Sequence, residues 1–172
     1  MTGAAKSGPP AAFTIRAIRA GDDGAVAAII RSVMPEFACA GPGFAIHDAE
    51  VAAMSRAYPG GAARYYVVER AGRIEGGGGF APLAGAAAEE RVCELRKMYF
   101  LPSLRGLGAG RALLGQLLRE MRDAGFRRCY LETTRQMTRA QELYRAHGFE
   151  LLPGPLGNTG HFGCDRFYAR EV

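Results

Sequence analysis

One stretch of this 172-residue chain constrains its fold more than any other part of the sequence. Residues 94–111 read ELRKMYFLPSLRGLGAGR, which joins an apolar strand pattern to a glycine-rich turn and the beginning of a helix. Gly106, Gly108 and Gly110 remove side chains where backbone N–H groups must turn outward together, and the following helix adds the positive end of its dipole. The stretch therefore predicts a turn that binds a phosphate or pyrophosphate group.

The spacing of these glycines excludes two common nucleotide-binding motifs. A dinucleotide fingerprint needs G-x-G-x-x-G, but the third glycine position falls on Arg111 or Leu113, depending on where the count begins. A Walker-type loop needs Gly-Lys followed by Ser or Thr, and neither lysine of the chain stands in that setting. The turn therefore belongs to another class of phosphate site.

Two motifs, in the order expected of them, resemble those of the GNAT acetyltransferase superfamily. Residues 105–110, Arg-Gly-Leu-Gly-Ala-Gly, match the R-x-x-G-x-G element that this superfamily uses to hold the pyrophosphate of acetyl-coenzyme A. Further along the chain, Ala140, Tyr144, Gly148 and Phe149 match a helix that ends A-x-x-x-Y-x-x-x-G-F. The resemblance implies an N-acetyltransferase that depends on acetyl-CoA.

The pattern along the chain predicts a mixed α/β fold. Apolar alternation and helical periodicity follow one another in the order β-α-α-β-β-β-α-β-α-β-β, which favours a mixed (α+β) sheet with helices on its faces. The resemblance implies, more specifically, a GNAT-like acyl-CoA N-acyltransferase fold, whose central, mostly antiparallel twisted sheet is flanked by helices. Strands are predicted over residues 13–18, 64–69, 73–83, 91–101, 127–133, 149–152 and 162–169. Helices are predicted around residues 26–34, 48–58, 113–121 and 138–148, the last with capping-box spacing at Thr138 and Gln141.

The length of the chain suits one domain. We expect residues 1–12 to be a flexible N-terminal tail and residues 13–172 to form a single N-acetyltransferase domain. The sequence has no long apolar run and no signal-peptide pattern, so we expect a cytoplasmic protein without a membrane partner. The alternatives of a monomer and a homodimer stay open.

Charge and cysteine usage exclude several other classes of protein. The formal net charge is +5, but the arginines are spread over the whole chain without a basic block, so we expect no nucleic-acid partner. The four cysteines, Cys39, Cys93, Cys129 and Cys164, include no C-x-x-C pair, which favours reduced thiols. His161 and Cys164 have H-x-x-C spacing without a second pair of metal ligands, so we predict no metal cofactor.

Acetyl transfer from a thioester to an amine needs a base for the amine, stabilisation of an oxyanion and a proton for the departing thiolate. Glu94 is the first candidate for the base, because it lies on the strand entering the cofactor site and shares a face with Arg96 and Met98 by two-residue alternation. The resemblance to the protein-acetylating branch of the superfamily also places the base glutamate there. A structural ion pair between Glu94 and Arg96 is the alternative.

Glu132, on the next predicted strand, is a second candidate for the base. It could equally hydrogen-bond the acceptor amine and leave deprotonation to water.

The resemblance assigns roles to Tyr144 and to the glycine-rich turn. Tyr144 matches the tyrosine that protonates or steers the leaving thiolate, and a core tyrosine is the alternative. The family often has Asn where this chain has Met137, which removes one contact to the cofactor arm. Backbone N–H groups of the strand before the turn are expected to stabilise the oxyanion. The predicted cofactor-binding residues are Met98, Tyr99, Phe100, Arg105, Gly106, Leu107, Gly108, Ala109, Gly110 and Arg111.

The acceptor is predicted to be a primary amine of a small molecule. Arg96 beside Glu94 would suit a carboxylate, which favours an amino acid or a related carboxylate-bearing amine. The polar loop 159–165 is expected to line the acceptor cleft through His161, and Glu132 completes the predicted acceptor-binding set. Two other functions stay open, a protein N-terminal or lysine acetyltransferase and a non-catalytic regulatory module that binds acyl-CoA.

Overall fold

A computed structural model describes residues 12–172, so the predicted tail lies outside the described residues except for Ala12. Within that range, seven strands form a sheet in the spatial order β1-β2-β3-β4-β5-β7-β6. The strands are β1 (Thr14–Ala17), β2 (Arg64–Arg70), β3 (Arg73–Pro82), β4 (Val92–Phe100), β5 (Arg128–Thr133), β6 (Glu150–Leu151) and β7 (Arg166–Glu171). The helices are α1 (Asp23–Glu36), α2 (Met54–Ala57), α3 (Ala109–Asp123) and α4 (Thr138–Ala146).

This architecture confirms the predicted mixed fold. All neighbouring strands pair antiparallel except β4 and β5, which are parallel. The order of strands and helices along the chain is the predicted one. Among the described residues, none of the helices combines the length and the hydropathy that a membrane span requires.

The helices cover the two faces of the sheet and build two apolar cores. On one face, called the α1 face, Ile30 and Met54 of α1 and α2 are fully buried against the sheet. On the other, called the α3 face, Leu113 and Leu117 of α3 are fully buried together with Tyr144 of α4. Each such side chain contributes about 1.5–3 kcal/mol to folding. Both predicted amphipathic stripes therefore face the sheet.

The glycine run of β3 allows large side chains to lie across this strand. A Cβ atom on Gly79 would lie 2.4 Å from the carbonyl oxygen of Arg64, and one on Gly77 would lie 2.8 Å from the ring of Tyr65. Tyr65 therefore lies over β3 on the α1 face, where its hydroxyl donates a hydrogen bond to the carbonyl of Lys97 at 2.9 Å. The glycines make room for the tyrosine that holds β4.

β4 contains a β-bulge at the position that Tyr65 contacts. The register against β3 shifts between Gly77 and Gly79, where Lys97 and Met98 of β4 stand opposite the single residue Gly78. Lys97 has a φ of +48°, a left-handed conformation that costs a non-glycine residue about 1–3 kcal/mol. The surrounding contacts must supply that free energy.

The bulge changes which side chains share a face of the sheet. Two-residue alternation predicts that Glu94, Arg96 and Met98 lie together, and this prediction is wrong for Met98. Because the bulge adds one residue, Lys97 joins Arg96 on the α1 face, and Met98 turns to the α3 face beside Leu113.

β4 and β5 separate after a short parallel contact. Their register runs only from Val92 opposite Arg128 to Glu94 opposite Tyr130. Beyond this point β4 continues beside β3, and β5 continues beside β7. The divergence leaves a gap in the sheet directly after Glu94.

The second predicted helix is interrupted. Residues 49–52 form a 3-10 turn, and α2 begins separately at Met54. The Asp23 carboxylate of α1 accepts hydrogen bonds from the backbone N–H and the hydroxyl of Ser55 at 2.7 and 2.8 Å. Asp23 of α1 thus accepts the backbone N–H of Ser55 at the start of α2. Asp48, the first residue of the predicted helix, lies outside α2 and contacts other residues.

The predicted capping box of α4 does not form. Thr138 is the first residue of the helix and Met137 is its N-cap. The Gln141 side chain instead donates to the carbonyl of Thr134 at 2.9 Å and accepts a hydrogen bond from the Tyr168 hydroxyl at 2.9 Å. Tyr168 of β7, which is distant in the sequence, therefore binds the Gln141 side chain that the local pattern predicted to be part of the capping box.

The last strand begins at Arg166, four residues later than predicted. The segment before it, called the 159–165 loop, contacts the loop at residues 39–47 instead of extending the sheet. Gly163 donates its backbone N–H to the carbonyl of Gly43 at 3.0 Å. The ring of Phe44 lies against Gly163, and the ring of Phe162 lies against Gly43.

Replacement of Gly79 by Ala should destabilise the protein by at least about 2 kcal/mol, because the new methyl group would collide with the Arg64 carbonyl oxygen of β2. Gly24→Ala is the matched control, since Gly24 lies in α1 with no atom within 4 Å of the added methyl group. That variant should be more stable than the wild type by about 0.5 kcal/mol. Urea unfolding measures both, and equal stabilities would contradict the close approach of β2 and β3.

Candidate active site

A cavity of about 620 Å³, called the main cavity, lies where β4 and β5 separate. Leu95 and Leu131 form its wall on the sheet side, and Leu143 and Tyr144 of α4 form another wall. The glycine-rich turn before α3 closes one end. Most of the predicted cofactor-binding residues are therefore gathered around one space.

The glycine-rich turn presents open backbone to the main cavity. Gly106 and Gly108 have φ values of +79° and +83°, which favour glycine. α3 begins at Ala109 without an acidic side chain in its first turn, and no atom lies within 4 Å of a Cβ built on either glycine. Free N–H groups, a helix dipole and an open approach suit a pyrophosphate. The residues present thus fit the coenzyme that the resemblance implies.

Arg105 braces this turn against α1. Its Nε donates to the carbonyl of Phe100 at 2.9 Å, and its Nη1 donates to the carboxylate of Glu36 at 2.8 Å. The guanidinium lies over the ring of Phe37, 5.6 Å from the ring centroid. Its Nη2 is buried without a hydrogen-bond partner among residues 12–172. Arg105 therefore fixes the turn and keeps one donor uncommitted.

Tyr144 reaches the main cavity from α4. Its ring lies 5.9 Å from that of Phe149 and 6.3 Å from that of Tyr168, and only 6% of the residue is exposed. Burial raises the pKa of Tyr144, so its hydroxyl keeps its proton at neutral pH. The side chain is both part of the apolar core and a possible proton donor at the cavity wall.

A second space of about 50 Å³, called the small cavity, lies on the α1 face of the gap. Three sequence-predicted polar residues, Glu94, Arg96 and His161, line it but do not line the main cavity. Glu132 lines both. The residues shared by the two walls are Leu95, Lys97, Tyr99, Glu132, Thr133 and Met137. The small cavity therefore adjoins the main cavity through the gap between the strands.

Glu94 is 3% exposed and presents one oxygen to this cluster. Its Oε2 accepts a hydrogen bond from Arg96 Nε at 2.6 Å, whereas its Oε1 lies 4.0 Å from His161 Nδ1. Burial raises the pKa of Glu94, and the charge of Arg96 only partly offsets that effect. The ion pair with Arg96 is thus present, and it leaves Oε1 without a direct hydrogen bond to a described residue.

Glu132 is held from one side by two hydroxyl groups. Tyr130 donates to Oε1 at 2.8 Å, and Thr159 donates to the two carboxylate oxygens at 3.0 and 2.9 Å. His161 Nδ1 lies 3.6 Å from Oε2. Glu94 and Glu132 therefore approach the same imidazole nitrogen from neighbouring strands.

Sequence reasoning missed Asp48, which anchors the imidazole from the other side. Both oxygens of Asp48 lie 3.1 Å from His161 Nε2. The hydrogen bond to Asp48, followed by the contact with Glu132, raises the pKa of His161 to about 9, although burial opposes this. Burial also opposes ionisation of Asp48, but His161 and Lys97 outweigh it and lower the pKa of Asp48 to about 2. The two side chains therefore form an ion pair at neutral pH.

Lys97 and Glu50 complete the cluster and were also missed. Lys97 is buried, and its ammonium donates to Asp48 at 2.7 Å and to Glu50. These contacts supply the stabilisation that the left-handed backbone of Lys97 requires. The sequence offered one signal, the lysine inside an apolar strand pattern, because a buried lysine needs a charged partner. It offered none for the identity of that partner.

The structure places most predicted site residues as follows. Nine of the ten predicted cofactor-binding residues line the main cavity, as does Tyr144. The exception is Leu107, which is 44% exposed and does not line this cavity. Glu94, Arg96 and His161 lie together at the small cavity, and Glu132 joins them.

Comparisons with known proteins agree with this geometry. Residues 26–149 match the model of the acetyltransferase (GNAT) family. The uncharacterised N-acetyltransferase YjgM of Escherichia coli K12 is 39% identical over 164 residues, which span 95% of this chain and 97% of that protein.

Solved structures of acetyltransferases share the fold. A GNAT phosphinothricin acetyltransferase of Sinorhizobium meliloti, solved with acetyl-CoA, has a TM-score of 0.71 and 23% identity, with 94% of this chain and 89% of that chain covered. A ribosomal-protein-alanine N-acetyltransferase of Brucella melitensis has a TM-score of 0.74 and 25% identity, with 92% and 99% covered. The first is named for a small acceptor and the second for a protein, so the shared fold leaves the acceptor open.

The ion pair between His161 and Asp48 predicts a pH-dependent contribution to stability. The pKa of folded His161 is about 9, above its usual 6.5, so stabilisation by the protonated ring is complete below about pH 6.5 and is lost as the pH rises through about 9. His161→Gln should therefore lower the melting temperature at pH 6 and have a much smaller effect at pH 10. Thermal unfolding of both proteins across this range measures the difference.

The same substitution in an Asp48→Asn background is the control. Because Asp48 is the main cause of the raised pKa, the effect of His161→Gln should depend much less on pH there. An unchanged pH dependence would rule out Asp48 as the partner.

Proposed function

Because the chain belongs to the acetyltransferase (GNAT) family, and is therefore an N-acetyltransferase that uses acetyl-CoA, we propose that its acceptor is a primary amine of a small molecule. The observation that carries this proposal is the small cavity, a space of about 50 Å³ bordered by Glu94 and Glu132 beside the main cavity. Carboxylates suit the recognition and deprotonation of an amine.

The two loops that wall the small cavity favour a small acceptor over a peptide. The 39–47 and 159–165 loops both contribute to its wall, through Phe44 on one side and His161 on the other. They are joined by the backbone hydrogen bond from Gly163 to Gly43, and His161 pairs with Asp48, the residue that follows the 39–47 loop. A protein N-terminus or lysine would need an open groove, which these contacts occupy.

We assign the binding of acetyl-CoA to the main cavity. Acetyl-CoA supplies an acetyl group activated as a thioester. The backbone N–H groups from Gly106 to Arg111, including those of Leu107, Gly108, Ala109 and Gly110, are proposed to bind the pyrophosphate, and Arg105 keeps the turn in place. Beyond Glu94, β4 has no sheet partner on its β5 side. Backbone N–H groups of Met98, Tyr99 and Phe100 are proposed to stabilise the oxyanion there.

Glu94 is the proposed base. Its raised pKa brings a carboxylate closer to the range in which proton acceptance is efficient. Its Oε1 is proposed to accept the proton of the amine, while Oε2 stays bonded to Arg96. Glu132 is proposed to orient the amine through Oε2, since its other contacts are hydroxyl groups that keep it fixed. Glu132 as the base is the alternative that the variants below distinguish.

Tyr144 is the proposed acid. Its hydroxyl is protonated at neutral pH, and the residue lines the main cavity. It is proposed to give its proton to the departing thiolate. Because the ring is held between Phe149 and Tyr168, the hydroxyl has a fixed position.

Gly108→Ala should weaken the affinity for acetyl-CoA about tenfold. A residue with a Cβ in the left-handed conformation costs about 1–2 kcal/mol, so the turn will move away from the backbone conformation that aligns its N–H groups. Gly125→Ala is the matched control. Gly125 has a φ of +87° and equally open surroundings, but it follows the other end of α3. Isothermal titration calorimetry should find lower affinity only for Gly108→Ala, and equal losses would exclude the turn as the binding site.

Glu94→Gln should lower kcat for the best amine in a panel by about 100-fold or more, with activity partly recovered at high pH, where the amine is already neutral. Glu132→Gln should mainly raise KM for the amine. Release of CoA from acetyl-CoA measures both. The reverse pattern would make Glu132 the base, and no release of CoA with any amine or peptide would favour a non-catalytic module.

Tyr144→Phe should lower kcat at least about tenfold with little change in the KM for acetyl-CoA, because only the proton donor is lost. Tyr168→Phe is the control, since Tyr168 lies in the same core but its hydroxyl bonds Gln141 away from the main cavity. Equal kcat values for the two variants would leave Tyr144 with a packing role alone.

A further inference from the structure

We infer that the acceptor is a primary amine whose carbon skeleton carries no carboxylate, such as an arylalkylamine or a diamine, and that amino acids are excluded. This inference rests on the proposed function, since it specifies the acceptor of the same small cavity. It also reverses the preference that Arg96 suggested from the sequence.

The charged groups around the small cavity favour cations over anions. Seven ionisable side chains form one connected cluster, and the acids outnumber the bases by four to three. The acids are Asp48, Glu50, Glu94 and Glu132, and the bases are Arg96, Lys97 and His161. An entering carboxylate would therefore add a fifth negative group to a half-buried cluster, at a cost in both repulsion and desolvation.

Each base of the cluster already has a carboxylate partner. Lys97 is paired with Asp48 at 2.7 Å and with Glu50. His161 is paired with Asp48 at 3.1 Å and approaches Glu132 at 3.6 Å. A substrate carboxylate would have to share a cation with a protein carboxylate that cannot leave the site.

Arg96, which also lines the small cavity, has a carboxylate partner in the same way. Its Nε donates to Glu94 at 2.6 Å and its Nη2 donates to the carbonyl of Pro82 at 3.3 Å. The guanidinium is thereby held along the sheet, and its charge is matched by Glu94. A substrate carboxylate bound to its other N–H groups would have to share the charge of Arg96 with Glu94, the proposed base.

An amine without a carboxylate meets none of these obstacles. Oε1 of Glu94 accepts no hydrogen bond from a described residue, and Oε2 of Glu132 accepts one, from Thr159, so both can still accept from the N–H groups of the amine. The rest of the wall is largely apolar and suits the carbon atoms next to the amine, the part of the acceptor that a space of about 50 Å³ can hold. Its apolar members include Met34, Cys39, Phe44, Ala45, Met137 and Cys164.

A series of matched ligands tests the inference. Phenylalanine, phenylalaninamide and phenethylamine share the amine and the ring, and the amide keeps the volume of the acid without its charge. Lysine, lysinamide and cadaverine form a second series. Both kcat/KM from CoA release and affinity from calorimetry with CoA present are measured for the full chain. In at least one series, the amide and the decarboxylated amine should exceed the acid about 30-fold or more in both quantities, since like-charge contacts cost several kcal/mol.

The two readouts separate failure of the inference from failure of the proposed function. An acid that is bound or acetylated as well as its amide overturns the inference, and so does equally weak binding of all members of both series. Preferential binding of amides and amines without release of CoA supports the charge preference but contradicts transfer to small amines.

A variant tests whether the cluster causes the preference. Glu50→Gln removes one acid from Lys97 without altering a residue that lines the small cavity. In this variant, the ratio of the amide to the acid, in kcat/KM and in affinity, should fall at least about threefold. Glu120→Gln is the matched control, because it removes an ion pair with Arg64 outside the cluster. A ratio that stays the same in Glu50→Gln, or that changes equally in both variants, overturns the electrostatic explanation.

Discussion

The left-handed backbone of Lys97 is the constraint around which the site is built. One extra residue in β4 turns Lys97 to the α1 face and Met98 to the α3 face, so that a single strand contributes to both cavities. The conformation is unfavourable for lysine, and it persists because Tyr65 holds the carbonyl while Asp48 holds the ammonium. Gly77 and Gly79 of β3 contribute to the same arrangement, since a side chain on either would collide with Tyr65.

The separation of β4 from β5 has a comparable effect on the chemistry. Where the two strands part, the sheet contains a gap that joins a large apolar space to a small charged one. The glycine-rich turn and Tyr144 line the large space, Glu94 lines the small one, and Glu132 lines both. In the proposed function, acetyl-CoA and the amine therefore meet at this gap, with the open backbone of the turn for the polyanion and the carboxylates for the amine.

The elements that the sequence predicted well depend on local patterns. The leucines of α3 repeat with helical spacing and face the sheet, and the glycines at 106 and 108 adopt the left-handed conformations that their motif requires. The failures have a common cause, which is a partner far away in the sequence. Gln141 binds Tyr168 instead of forming a capping box, and the segment before β7 contacts the 39–47 loop instead of extending the sheet. Such contacts outweigh local preferences of a few tenths of a kcal/mol.

The sequence by itself determined the family, the acetyl donor acetyl-CoA and the order of the helices and strands, because glycine spacing and apolar periodicity are properties of neighbouring residues. Only the tertiary structure decided the charge of the small cavity. Asp48, Lys97 and His161 are separated by long stretches of chain, and their pairing depends on a bulge that alternation does not reveal. Whether the charge of a half-buried arginine is available to a substrate depends on its partners in space, and the charge of Arg96 is matched by Glu94.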